Sequence, residues 1–86
     1  MQTYIALLRG INVSGRKKIK MADLKLLFEF LGFTNVTTYI QSGNVVFNTA
    51  ETDIKIIKKK IENIILDKYG FNVLVLIISS ERIVSI

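Results

Sequence analysis

Two short runs at the middle of the chain, residues 36–40 and 45–47, constrain its fold most strongly. Both runs are rich in β-branched and aromatic residues, which favour strands. The segment between them, QSGN at residues 41–44, consists of residue types that are typical of a tight turn. The sequence therefore predicts a β-hairpin in the middle of the chain.

A helix and a strand are predicted on each side of this hairpin. Residues 21–31 and 52–69 repeat apolar residues at intervals of three and four, as amphipathic helices do. Gly32 and Gly70 directly follow them and are typical of helix ends. Residues 3–8 and 71–78 are apolar runs that we interpret as the first and last strands. The order β-α-β-β-α-β predicts an α+β ferredoxin-like fold, with a four-stranded antiparallel sheet and both helices on one face.

The second face of this predicted sheet is unusually apolar. Alternate residues of the last strand lie on opposite faces, and both sets are apolar: Leu74, Leu76 and Ile78 against Val73, Val75 and Ile77. A large apolar surface on a small domain usually marks an interface. We therefore expect a second domain or another subunit of a homo-oligomer to cover this face.

The end of the sequence suggests a domain boundary. Ser79-Ser80-Glu81 is typical of a helix N-cap, but the helix that would follow has barely one turn before residue 86. We interpret residues 1–78 as the ferredoxin-like domain and residues 79–86 as the start of a linker helix to a missing second domain.

Composition gives little support to catalysis. The chain has no Cys and no His, so disulfides, thiolate metal sites, a Cys nucleophile and the usual neutral-pH acid/base are excluded. The acidic residues show neither a catalytic pair nor metal-ligand spacing, and we expect no catalytic residue, metal or cofactor. The N-terminus does not resemble a signal peptide and no apolar run is long enough to cross a membrane, so the sequence predicts a cytoplasmic protein with no membrane partner.

The charge is concentrated near the N-terminus. The net charge is +5, yet residues 21–86 hold seven basic and seven acidic residues, so the whole excess lies in residues 1–20. We call residues 9–20, which hold all five of the remaining basic residues, the basic loop. A localised positive excess favours an anionic partner, either a phosphate-bearing ligand or nucleic acid.

Part of the basic loop has the glycine spacing of a nucleotide-binding P-loop. Residues 10–17 read GINVSGRK, but Arg16 occupies the position of the phosphate-binding Lys, and Lys17 that of the Mg²⁺-binding Ser or Thr. This argues against a nucleotide-hydrolysing P-loop. Two alternatives stay open: an anion site built from backbone N–H groups and basic side chains, or a solvated loop in which Asn12 bonds its own backbone.

The candidate ligand-binding residues come from the basic loop and from the hairpin turn, which we expect to meet at one end of the sheet. They are Arg9, Asn12, Gly15, Arg16, Lys17, Lys18 and Lys20 from the loop and Gln41, Ser42 and Asn44 from the turn. Plain turn chemistry is the alternative for the second group: Asn44 suits the left-handed conformation of a turn, whereas Gln41 is accounted for least well.

Aromatic residues offer a further alternative, because RNA-recognition motifs share this element order and stack bases on their sheet. Tyr4, Tyr39 and Phe47 are the candidates here. The third strand, however, has Asn and Val where that motif places aromatic residues. We therefore interpret Tyr4 and Phe47 as core or interface residues.

Three segments resemble the DUF1697 family, a family of unknown function. They are RGINV at residues 9–13, Lys20-Met21, and the long and specific TYIQSGNVVF at residues 38–47. The resemblance covers essentially the whole chain. It implies a ferredoxin-like first half within a longer protein, and it implies no activity, cofactor or catalytic residue. One departure is Ser14, where relatives often have Gly.

Overall fold

The computed structural model describes residues 2–11, 18–39 and 43–79. Its elements, in chain order, are β1 (Gln2–Arg9), α1 (Met21–Phe30), β2 (Thr34–Tyr39), β3 (Asn44–Thr49), α2 (Ile54–Tyr69) and β4 (Leu74–Ser79). The sheet has the order β2-β3-β1-β4, and all neighbouring strands are antiparallel. This confirms the predicted ferredoxin-like β-α-β-β-α-β arrangement. Of the predicted linker segment 79–86, Ser79 is the last residue of β4, and residues 80–86 lie outside the described residues.

One hydrophobic core lies between the helices and one face of the sheet. Alternate residues of β1, β3 and β4 supply its sheet side, and α1 and α2 supply its helical side. The largest fully buried side chains are Tyr4, Leu24, Phe28, Val45, Phe47, Ile57, Ile61, Ile65 and Val75. Tyr4 and Phe47 are thus core residues, as the sequence predicted, and they are not available to stack bases.

Aromatic packing joins α1 to the sheet. The Phe47 ring packs edge-on against Phe28 with centroids 5.3 Å apart, and it stacks on Phe33 at 4.5 Å. Phe33 reaches this position because α1 ends in a Schellman motif. The Phe33 N–H donates to the carbonyl of Phe28 at 3.2 Å, and Gly32, with φ of 91°, donates to Glu29 at 3.0 Å. The predicted helix end at Gly32 is confirmed.

Both ends of α2 are also set by local chemistry. The Asp53 side chain accepts a hydrogen bond from the backbone N–H of Lys55 at 2.9 Å, so the helix begins at Ile54, two residues later than predicted. Gly70 ends the helix with φ of 77°, and its N–H donates to the carbonyl of Leu66 at 2.8 Å. β4 begins at Leu74, three residues later than the sequence predicted.

The two edge strands of the sheet are protected in different ways. β2 has a register irregularity between Thr34 and Thr37, with Asn35 at φ of 51°, and such bulges discourage pairing with a further strand. On β4, the backbone N–H of Val75 donates to Oε2 of Glu62 from α2 at 3.1 Å. A side chain from the helix layer therefore satisfies an N–H group of the β4 backbone.

Candidate sheet-face and basic-loop site

The sheet face that points away from the helices carries a contiguous apolar surface. Ile5 lies opposite Val46 on one side and Ile78 on the other, and the next row pairs Leu7 with Leu76. Leu74 and Leu76 are 55% and 38% exposed. We call this surface the apolar patch; its members are Ile5, Leu7, Val46, Leu74, Leu76 and Ile78. The predicted apolar character of the second sheet face is confirmed.

The same face becomes polar toward one end. Asn44 lies between Leu7 and Tyr39 in the register, and Tyr39 is 53% exposed on the edge strand. Arg9 is two residues beyond Leu7 on β1, lies opposite Leu74, and is exposed. Side chains two residues apart on a strand share a face, so Arg9, Tyr39 and Asn44 lie at one end of it. We call these three residues the polar corner.

Gly43 packs the start of β3 against the end of β1. The N–H of Leu8 donates to the carbonyl of Gly43 at 3.0 Å. Gly43 has φ of 65°, and a Cβ atom at this position would lie 2.8 Å from the carbonyl oxygen of Leu8 and 3.2 Å from Cδ1 of Ile11. Both conditions require glycine. The described part of the hairpin turn therefore contacts Ile11, a described residue of the basic loop.

Two buried isoleucines anchor the described parts of the basic loop in the hydrophobic core. Ile11 is 7% exposed and Ile19 is 3% exposed. Lys18 and Lys20, on either side of Ile19, are exposed. Lys20 is the N-cap residue of α1 in an extended conformation, and its side chain makes no capping hydrogen bond. Exposed positive charge therefore adjoins a helix N-terminus, which is itself the positive end of the helix dipole.

The predicted site residues divide into two groups. Arg9, Lys18, Lys20 and Asn44 lie within the described residues. Asn44 is partly buried as the first residue of β3, so it does not adopt the left-handed turn conformation that its residue type suggested. The remaining candidates, Asn12, Gly15, Arg16, Lys17, Gln41 and Ser42, lie outside the described residues. Sequence reasoning did not connect Tyr39 with Arg9 and Asn44, because their proximity depends on the strand register.

The helix layer has a second surface feature, which the sequence did not indicate. A cleft of about 310 Å³ is lined by Asp23, Leu26, Leu27 and Phe30 of α1 and by Lys68 of α2. Phe30 is 82% exposed.

Tyr69 at the end of α2 has a buried hydroxyl oxygen without a hydrogen-bond partner among the described residues. Burial, and secondly the negative charge of Asp23, raise the pKa of this hydroxyl above its ordinary value.

Residues 2–11, 18–39 and 43–79 contain no group of three acidic side chains placed to hold a metal ion. No helix among them is both long and apolar enough to cross a membrane.

Comparisons with known proteins agree with the fold and the sequence motifs. A solved structure of a conserved bacterial protein from Streptococcus pneumoniae is similar to this chain, with a TM-score of 0.80 and 34% sequence identity. The matched region covers 93% of this chain and 44% of the Streptococcus pneumoniae protein, so this chain spans less than half of that protein's length. No curated protein matches. The family described as "Protein of unknown function (DUF1697)" matches residues 1–86. The chain therefore belongs to the DUF1697 family.

Proposed function

We propose that this chain is an interaction domain whose apolar patch packs against another folded unit, either a second domain or a second copy of the chain. The observation that carries the proposal is the exposure of Leu74 and Leu76 on the sheet face that points away from α1 and α2. Fully burying a Leu side chain stabilises a structure by about 1.5–3 kcal/mol. Leu74 and Leu76 are already partly buried, so covering them supplies a fraction of this stabilisation for each, which favours a weak association.

The arrangement of the face supports a specific partner surface. The apolar residues occupy neighbouring rows on β1, β3 and β4, whereas Thr3 and Asn48 close one end with a hydrogen bond of 2.6 Å between their side chains. An apolar centre with a polar rim is typical of protein interfaces. The Streptococcus pneumoniae protein is longer than the matched region, and the additional part of such a chain is one source of a second unit.

Nuclear magnetic resonance of the ¹⁵N-labelled chain tests this proposal. On raising the protein concentration, we expect the amides of β1 and β4 to shift or broaden before those of the helices. Leu76→Lys should remove the effect, because it places a charge in the centre of the patch. Leu66→Lys, at a residue of α2 that is 42% exposed, is the matched control and should leave the effect intact. Shifts centred on the helices would contradict the proposal.

A second candidate function is binding of a phosphate-bearing ligand or nucleic acid by the basic loop. It is supported by the exposed cations Arg9, Lys18 and Lys20 and by the helix N-terminus next to the two lysines. Basic side chains and unpaired backbone N–H groups together favour phosphate. The absence of acidic residues from residues 1–20 leaves this charge uncompensated within that segment.

Salt-dependent binding measurements test the second candidate. With a short single-stranded RNA as probe, log affinity should fall with log salt with a slope of about −3 to −3.5, if four or five phosphates are neutralised. Replacing Arg16, Lys17 and Lys18 by Ala should abolish binding without changing the melting temperature. Replacing Lys58, Lys59 and Lys60 of α2 by Ala removes the same charge elsewhere and should leave most of the affinity. A flat salt dependence would exclude nucleic acid, and equal losses in the two triple variants would exclude a specific loop site.

A further inference from the structure

We propose that the polar corner binds a flat aromatic ring that carries a phosphate group, as a nucleotide does. Tyr39 would stack on the ring, Asn44 would hydrogen-bond its edge, and Arg9 would hold the phosphate. This inference rests on the anion-binding candidate above, and it moves the ligand's contact surface from the basic loop onto the adjoining end of the sheet.

The strand register sets the separation of the three residues. Tyr39 lies opposite Asn44, and Asn44 lies opposite Leu7, so these residues form one row across β2, β3 and β1. Arg9 is two residues further along β1. Two strand spacings and one two-residue step place the Cα atoms of Tyr39 and Arg9 about 12 Å apart. This spacing leaves room for a ring and its phosphate to lie between the two side chains.

The exposed ring of Tyr39 distinguishes it from most other aromatic residues of the sheet and α1. Tyr4, Phe28 and Phe47 are almost completely buried in the core, whereas the Tyr39 side chain is 53% exposed on the open face. An exposed aromatic ring on a flat sheet is a suitable surface for base stacking. Asn44 beside it offers both a donor and an acceptor, which is what the edge of a heterocyclic base requires.

Arg9 supplies the charge at the other end of the polar corner. It is exposed, and its partner in the register is the apolar Leu74. A guanidinium group presents paired N–H donors that match two phosphate oxygens. Arg9 belongs to β1, so its backbone position is held by pairing with β4.

The backbone beneath the polar corner is held by close packing. Asn44 follows Gly43, whose carbonyl accepts the Leu8 N–H and where a Cβ atom would lie only 2.8 Å from the Leu8 carbonyl oxygen. The relative positions of β1 and β3 are therefore fixed at this end. A preorganised site of this kind loses less conformational freedom when the ligand binds.

The experiment is a titration of the ¹⁵N-labelled chain with adenosine 5′-monophosphate, inorganic phosphate and a tetra-adenylate RNA. Adenosine monophosphate should shift the amides of Arg9, Tyr39 and Asn44. Tyr39→Leu should weaken its binding by about 5- to 100-fold, as expected for the loss of one stacked base, and leave inorganic phosphate unaffected. Arg9→Gln should weaken both ligands, and Lys18→Gln, which removes the same charge, should weaken adenosine monophosphate less.

The outcomes separate this inference from the function on which it rests. If phosphate and nucleotide bind equally well in Tyr39→Leu and the native chain, with shifts at residues 16–20, the basic loop binds anions and the polar-corner inference is wrong. If no anion shifts any residue, both proposals are wrong. Affinity distinguishes a free nucleotide from a nucleic-acid strand as the ligand. A tetranucleotide that binds no more tightly than the monophosphate identifies a free nucleotide, whereas much tighter binding through the same three residues identifies a nucleic-acid strand. Thermal melting of each variant checks that the fold is retained.

Discussion

Substitution of Gly43 by Ala should destabilise the domain more than the same substitution at Gly70. Both glycines have positive φ, 65° and 77°, which costs any other residue about 1–2 kcal/mol. Replacing Gly by Ala also reduces the conformational freedom of the unfolded chain, which offsets about 0.4–1 kcal/mol of this cost at either site. The conformational cost is therefore common to both positions and amounts to about 1 kcal/mol.

The surroundings of the two glycines differ. A Cβ atom at Gly70 meets nothing within 4 Å, but at Gly43 it meets the Leu8 carbonyl oxygen at 2.8 Å and Ile11 at 3.2 Å. To relieve this contact, β1 and β3 have to separate. This weakens the Leu8–Gly43 hydrogen bond, worth about 0.5–1.5 kcal/mol, and disturbs the packing of Ile11. We expect Gly43→Ala to cost about 3 kcal/mol in total, roughly 2 kcal/mol more than Gly70→Ala.

Urea unfolding followed by circular dichroism measures both variants in the same assay. For a domain of this size, a difference of about 2 kcal/mol also corresponds to a melting temperature roughly 8–16 °C lower for Gly43→Ala than for Gly70→Ala. Equal losses at the two positions would refute the close approach of the hairpin turn to the end of β1. The polar corner would then lack the fixed backbone on which its geometry depends.

Substitutions at three further residues test individual contacts. Asp53→Ala removes the acceptor of the Lys55 N–H at the start of α2 and should cost about 1 kcal/mol of unfolding free energy in urea titrations. Glu62→Ala leaves the Val75 N–H on β4 without its acceptor and should cost about 1–2 kcal/mol, while Glu62→Gln keeps an acceptor and should cost less. Tyr69→Phe removes a buried hydroxyl that has no hydrogen-bond partner among the described residues, and it should be neutral or stabilising at pH 7. Because the pKa of Tyr69 is raised in the folded state, the Tyr69 hydroxyl loses its proton in the unfolded state first as pH rises. The stability of the native chain, measured by melting curves, should therefore fall above about pH 10 relative to that of Tyr69→Phe.

Matched controls make these outcomes decisive. Asp67→Ala changes an exposed acid of the same helix, and Glu29→Gln changes an exposed acid of α1; both should alter stability little. Losses at Asp53 or Glu62 no larger than those at the controls would contradict the proposed contacts. Parallel stability–pH profiles for the native chain and Tyr69→Phe would contradict the environment assigned to that hydroxyl.

Much of the fold was predictable because local signals agreed with the global arrangement. The apolar run at residues 71–78 correctly predicted apolar side chains on both faces of the last strand. Gly32 and Gly70 correctly marked the helix ends. The start of α2 was placed too early, because capping by Asp53 is a specific side-chain contact that hydrophobic periodicity does not show. Such boundaries depend on individual hydrogen bonds.

The candidate site was less predictable. The excess of basic residues near the N-terminus predicted an anionic partner at the basic loop, but it did not indicate which side chains lie on the same surface. The proximity of Tyr39, Asn44 and Arg9 depends on the pairing register of three strands, and that of Gly43 and Ile11 on a tertiary contact. Sequence periodicity assigns a residue to a face of its own strand, whereas cross-strand register determines its neighbours.

The molar mass in solution tests the central claim most directly, namely that the apolar patch is an interaction surface. The patch spans only about 14 Å along β4, so self-association through it should be weak, and sedimentation equilibrium should extend to hundreds of micromolar protein. We expect the mass of the native chain to rise above 9.8 kDa with concentration, at high salt as well as low, and that of the Leu74→Lys, Leu76→Lys variant to stay at the monomer value. A native chain that stays at 9.8 kDa throughout, as the double variant does, would contradict self-association through the patch.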